Sequence, residues 1–289
     1  MHADRRTEGF VLAIVAAVLW GFGPTATKLS LDGYAPEVVG IARLGTAALF
    51  FRMLAGHGTA WLPRERWGIV AGLGLGVDFV LYNYGVQRTT AGAAGILLNF
   101  GSVTTPLFAG WLLGERLSGR RLAGCLLTLV GVVWVASDGV NAGDLLGSER
   151  LIGNVLVLAA ATCWSVYAVA QQRARTDASG PRLMAPIFAL GTICTLLVLP
   201  GMGTPASAGG VGPTTALLVL ALVCTAAVYV VYTRSQECLP LSVLSAVHAT
   251  VPLFSIALAW AFLGEPMTPR LATGAVTVVV GIVVAARDS

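Results

Sequence analysis

Apolar residues run along this chain in stretches of about twenty, separated by short polar breaks. Ten such stretches lie near residues 10–29, 35–54, 67–87, 91–113, 120–137, 151–171, 182–200, 213–233, 241–263 and 270–286. A helix rising 1.5 Å per residue needs roughly 20 mostly apolar residues to cross about 30 Å of hydrocarbon, so each stretch predicts one spanning helix. The breaks carry helix-ending residues, as in Asp32-Gly33, Gly56-His57-Gly58 and the Gly/Pro/Ser stretch from Gly201 to Pro213. They are too short to hold a separate soluble domain.

Composition agrees with a membrane solvent. Hydrophobic residues make up 56% of the 289 positions and charged residues 11%, against roughly 25% charged in a soluble domain. The apolar excess therefore faces lipid. The net charge of +4 comes without a basic cluster interleaved with aromatics, so no nucleic-acid partner is expected. The five cysteines, Cys125, Cys163, Cys194, Cys224 and Cys238, lie in or beside apolar stretches without CxxC spacing, so neither a disulfide framework nor a metal site is expected. No GxxxxGK[ST] motif occurs, so movement of a solute would draw on a gradient, and no cofactor is implied.

Charge changes the picture in one respect, the topology. With the N-terminus inside, thirteen arginines fall on inner segments (Arg5, Arg6, Arg52, Arg64, Arg66, Arg116, Arg120, Arg121, Arg173, Arg175, Arg182, Arg234 and Arg287), while Arg88, Arg150 and Arg270 fall outside. Retained loops carry the Lys/Arg excess, so both termini are expected in the cytoplasm. Lys28 and Arg43 fall inside spans.

The chain also repeats itself. At a displacement of 150, Leu113-Gly114-Glu115 falls on Leu263-Gly264-Glu265; Arg120, Gly124 and Gly131 fall on Arg270, Gly274 and Gly281; and Tyr82 falls on Tyr232. At 144, Gly9, Leu12 and Trp20 fall on Gly153, Leu156 and Trp164. The expected fold class is all-α integral membrane, ten transmembrane helices in two five-helix repeats, residues 1–145 and 146–289, forming one membrane domain. Five is odd, so the second repeat enters from the opposite side. Inverted-topology repeats characterise secondary transporters, whose solute site lies near the midplane between halves.

In the order and spacing of its motifs the chain resembles the EamA-like ten-helix family of the drug/metabolite transporter superfamily, over essentially its whole length. The residues that carry the resemblance are Leu19-Trp20-Gly21 with Lys28, Ala42-Arg43-Leu44, the run from Tyr84 to Ala91, Trp111-Leu112-Leu113-Gly114-Glu115-Arg116, and Ala261-Phe262-Leu263-Gly264-Glu265. One departure concerns span four: Pro252 precedes Glu265 by thirteen residues, whereas Ser102 stands at that position before Glu115 and Pro106 follows one turn later. The resemblance implies transport of metabolites or drugs, usually export, without naming the solute.

Ionisable groups at membrane depth are the sharpest candidates, since each is costly unless paired or facing water. Arg43 and Asp78 sit near the centres of spans two and three, to serve one cavity or to pair as a structural lock. His248, one turn before Pro252, is a candidate proton relay or an interhelical hydrogen-bonding group. Asn99 either binds solute or joins helices, and Lys28 snorkels or meets an anionic solute. Trp20, Tyr82, Trp164 and Tyr232 occupy matching positions of the two repeats, as core packing or as aromatic walls. Glu115 and Glu265 stand at span ends, where a carboxylate is solvated or caps a helix. The expected substrate-binding set is thus Arg43, Asp78, Asn99, His248, Trp20, Tyr82, Trp164 and Tyr232. The partners implied are a small-molecule solute and the lipid bilayer, with a homodimer left open. An abundance of arginine over lysine, with much Ala and Gly, points to a bacterial cytoplasmic membrane. An intramembrane enzyme is the rival reading, weakened by three scattered histidines (His2, His57, His248) and one central carboxylate; a lipid-handling or structural membrane protein is the third.

Overall fold

A computed structural model describes residues 2–113, 118–138, 148–174, 180–198, 209–239, 244 and 247–286. Gly114, Glu115, Arg116, Arg175 and Arg287, and the boundary between the repeats at 145 and 146, lie outside the described residues.

Every regular element among the described residues is helical. In chain order these are α1 (His2–Leu31), α2 (Pro36–Ala55), α3 (Arg66–Arg88), α4 (Ala91–Leu97), α5 (Gly101–Leu113), α6 (Gly119–Ala136), α7 (Glu149–Ala174), α8 (Pro181–Leu196), α9 (Val211–Leu218), α10 (Val228–Cys238), α11 (Val251–Leu263) and α12 (Pro269–Ala286). A 3-10 turn, Leu98–Phe100, joins α4 to α5, and a π-helical stretch, Val219–Ala227, joins α9 to α10. Among the described residues eight stretches are long and apolar enough to cross a bilayer, and α8 and α11 are shorter apolar helices. This is the build of a multi-pass membrane protein, since only a helix satisfies its own backbone in hydrocarbon without a closed barrel. The first helix begins eight residues before its apolar stretch because the polar segment with Arg5 and Arg6 continues the same hydrogen-bonded turns.

The radial distribution of side chains is that of a protein in lipid. Trp111, Val130, Val133, Trp260 and Phe262 point outward with more than half of their surface free, while Thr25, Thr27, Asp78, Asn83, Asn154, Ser165 and Thr225 are buried. The buried hydroxyls mostly return to the carbonyl one turn back, as Thr27 to Gly23 at 2.8 Å, Ser165 to Ala161 at 3.0 Å and Thr195 to Gly191 at 3.1 Å. That bond removes the need for a partner and lets a polar residue occupy a dry interface.

Glycine decides how closely the helices approach. A Cβ on Gly85 of α3 would stand 2.9 Å from the Gly153 carbonyl of α7, and one on Gly153 would stand 2.9 Å from the Gly85 carbonyl. Between α6 and α12 the contacts are again reciprocal: Gly124 meets the Gly281 carbonyl at 2.6 Å and Gly131 meets the Gly274 carbonyl at 2.9 Å, measured in the same way. Such backbone-to-backbone seams provide dispersion contact where no hydrophobic effect drives helices together. Gly72 and Gly76, one turn apart on α3, likewise receive Leu190 and Cys194 of α8.

Helices α1 and α5 run on through an imino acid, each losing one backbone hydrogen bond there. Pro24 within α1 cannot donate to the Trp20 carbonyl one turn earlier, and Pro106 within α5 frees the Ser102 carbonyl, which lies 3.7 Å from the Cys125 thiol. The span that continues through α4 and α5 is interrupted earlier than Pro106, at the 3-10 turn containing Asn99.

Candidate functional site

Two polar groups from adjacent helices meet inside the bundle. Arg43 projects from α2 with its guanidinium carbon 4.4 Å from the centroid of Phe79 and 5.6 Å from that of Tyr82, both on α3. Its Nε donates to Thr225 Oγ1 at 3.1 Å, and Thr225 in turn donates to the Leu220 carbonyl at 2.8 Å. Leu220 and Thr225 are five apart, which is the hydrogen-bond spacing of the π-helical stretch they occupy. A π turn shifts the side chains that follow it out of ordinary helical register, and such turns gather at functional sites. Here it presents Thr225 to Arg43. The Arg43 Nη1 is buried and has no hydrogen-bond partner among the described residues.

Asp78 lies on α3, 5% exposed and within electrostatic range of Arg43, Tyr82 and Tyr229. Among the described residues no ion pair within 4.0 Å joins it to Arg43. The two expected partners thus share one interior without being locked together. A buried charge with unused bonding capacity is costly unless something completes it.

Beside this pair lies a group of rings. Trp20 of α1 stands 5.0 Å from Tyr232, 5.1 Å from His248 and 6.2 Å from Tyr229, and Tyr232 and His248 are 4.9 Å apart, centroid to centroid. Tyr229 continues the group to Phe188 at 5.6 Å and shares a side-chain hydrogen bond with Tyr167. Tyr167 lies 5.0 Å from Trp164, the two rings tilted at 54°. The Nε2 of His248 is buried without a hydrogen-bond partner among the described residues, so the ring offers an acceptor or donor to the interior.

Seven of the eight expected residues therefore occupy one neighbourhood: Arg43, Asp78, Tyr82, Trp20, Tyr232, His248 and Trp164. Asn99 is tied to its own span, where its amide nitrogen donates to the carbonyls of Gly95 at 2.9 Å and Ile96 at 3.3 Å and so serves the bend. Lys28 does not simply snorkel. Its ammonium bonds the backbone carbonyls of Val86, Gln87 and Thr89 at the end of α3.

Sequence reasoning passed over Phe79, Tyr167, Thr225 and Tyr229. A signal for one of them was present, since the displacement of 150 that maps Tyr82 onto Tyr232 maps Phe79 onto Tyr229, one turn earlier on the same face. Thr225 carried no such signal, because its role depends on the π turn.

Comparison with known proteins places this chain among transporters. A relative in Streptantibioticus cattleyicolor, named a probable terminal-alkyne amino-acid exporter, is 25% identical over 95% of this chain and 92% of its own. One in Escherichia coli K12, named a probable amino-acid metabolite efflux pump, is 26% identical over 96% of this chain and 94% of its own. A solved crystal structure shares the fold at a TM-score of 0.68, with 20% identity and 97% of both chains covered. The EamA-like transporter family matches residues 7–137 and again residues 151–287. Because the two matches together span nearly the whole chain, this protein belongs to the EamA-like transporter family.

Proposed function

We propose that this protein is a secondary transporter that exports a small carboxylate-bearing metabolite, of the amino-acid class, across the cytoplasmic membrane. The observation that carries this reading is the unpartnered Nη1 of Arg43, buried beside Asp78 and walled by aromatic rings. A guanidinium held on one side by Thr225 and stacked on Phe79 keeps a donor directed at an incoming anion, and a carboxylate is the natural complement of that fork. Asp78 is then placed to meet the ammonium of a zwitterion, or to carry the proton that couples transport to a gradient. Trp20, Tyr229 and Tyr232 offer flat faces to an apolar tail. The names of the two relatives support the amino-acid class and the outward direction.

The same reading takes the chain as ten spans in two halves, residues 1–145 and 146–289, related by a twofold axis in the membrane plane, with both termini cytoplasmic. Reciprocal contacts support it. Gly124 meets Gly281 while Gly131 meets Gly274, which is the pattern a twofold generates when residue n matches n+150. Gly21 abuts Phe254 and Ser255, and its counterpart Ser165 bonds Thr104 and Thr105, the counterparts of those two. The shorter helices α8 and α11 complete the count of ten by spanning with adjoining turns.

The test is counterflow in proteoliposomes of purified protein, with a panel of radiolabelled amino acids beside their decarboxylated amines and deaminated acids. Uptake of an amino acid with an apolar side chain, lost when the carboxylate is removed, is the expected result. Equal movement of amine and amino acid would refute the role given to Arg43.

A further inference from the structure

The turn between α3 and α4 is held from both sides by charges that come from elsewhere in the chain. Glu265, in the loop between α11 and α12, accepts the backbone N–H of Ala91 at 2.7 Å on one carboxylate oxygen and that of Gly92 at 2.9 Å on the other. Lys28, near the end of α1, donates to the carbonyls of Val86 at 2.9 Å, Gln87 at 3.3 Å and Thr89 at 2.5 Å. The carboxylate meets the positive N-terminus of α4 and the ammonium meets the negative C-terminus of α3, so each charge completes the helix end of opposite sign. Between them lie only Thr89 and Thr90, both in extended conformation.

We propose that Glu265 and Lys28 form a latch that closes this end of the bundle and that releases as a unit when the end opens. Three features make it releasable. The bonds are polar and partly exposed, so water can replace them one for one. The loop bearing Glu265 is held at its far end only by another polar tie, Thr268 to Asp138, with Met267 between them 53% exposed, and it leaves α11 through Gly264, whose φ of 65° gives the chain a sharp exit. The latch also joins residues far apart in sequence, from α1, the α3–α4 turn and the α11–α12 loop, so its release loosens three elements at this end together. Neighbouring ties on the same end are of the same kind: Arg88 to Glu149 at 3.2 Å, Thr268 to Asp138 at 2.8 Å and Arg270 to the Ser137 carbonyl at 3.0 Å. This inference rests on the transporter reading for its purpose, because a solute path needs an end that opens.

Hydrogen exchange on the full-length protein in nanodiscs, followed by mass spectrometry without any solute, tests the latch independently of transport. The segments around Ala91–Gly92 and around Glu265 are expected to exchange with one shared opening rate. Glu265→Gln, which keeps one acceptor of the two, is expected to raise the exchange of both about tenfold, as is Glu265→Asp, which keeps the charge and loses the reach. A melting curve close to the parent's shows that each variant is folded. Segments that open independently, or exchange in both variants that stays at the parent rate, would overturn the latch. Counterflow on the parent then bears on transport alone: a parent that moves none of the panel while its two segments open together defeats the transporter reading and leaves the latch standing.

Discussion

Replacing Arg43 by Gln tests the centre of the proposed site. The substitution removes the buried Nη1 donor and the charge, and it leaves Thr225 bonded to the Leu220 carbonyl. The folded protein loses the stacking of the guanidinium on Phe79 at 4.4 Å, worth roughly 0.5–2 kcal/mol, and one hydrogen bond to Thr225. It is relieved in part by no longer burying a charge, so the change in stability is expected to stay near 1–2 kcal/mol and the protein to remain folded. Binding should suffer more selectively. One charge-assisted hydrogen bond to a solute carboxylate is worth about 1.5–3 kcal/mol, which at 1.4 kcal/mol per decade weakens affinity roughly 10- to 150-fold. Equilibrium binding to purified protein in detergent, with an amino acid and its decarboxylated amine measured side by side, reads this difference. The amine is expected to bind parent and variant alike. If the variant retains the parent's affinity for the amino acid, or if the amine loses as much as the amino acid, the carboxylate does not rest on Arg43 and the reasoning fails.

Four further outcomes are expected. Asp78→Asn should abolish accumulation driven by a proton gradient while exchange of solute for solute remains measurable in proteoliposomes; a variant that accumulates like the parent makes Asp78 structural. Gly85→Val places atoms against the Gly153 carbonyl and the Val157 backbone nitrogen, each within 3.0 Å of the new Cβ, and should cost about 1–3 kcal/mol through overpacking, seen as a lowered melting temperature. Gly23→Ala, where nothing lies within 4 Å, should be neutral or slightly stabilising by the same assay. A single cysteine at position 120 should be labelled by impermeant maleimide only in inside-out vesicles, and labelling in intact cells would reverse the assigned topology.

Much of the architecture is written in one dimension. The run of about twenty apolar residues is set by bilayer thickness, so helices appear where the stretches do, and the observed ends of α2 (Pro36–Ala55) and α3 (Arg66–Arg88) fall within one residue of the apolar stretches. The rarity of charge at depth marked Arg43 and Asp78, and the internal displacement marked Trp20 and Tyr232, because cost and repetition are properties of the sequence itself. Other features depended on which elements become neighbours. Glu265 at a span end reads as a carboxylate that is solvated or caps a helix, and that it caps α4 appears only where the loop that bears it meets the α3–α4 turn, 173 and 174 residues away in sequence. Asn99 reads equally as a group that binds solute or joins helices, and the structure turns its amide nitrogen onto its own span, while Thr225, which no sequence signal marked, is aimed at Arg43 by a π turn. In each case the sequence by itself determined that a polar group would need a partner at membrane depth. Only the tertiary structure decided which partner, because that choice is made by the packing of glycine-lined helices that are distant along the chain.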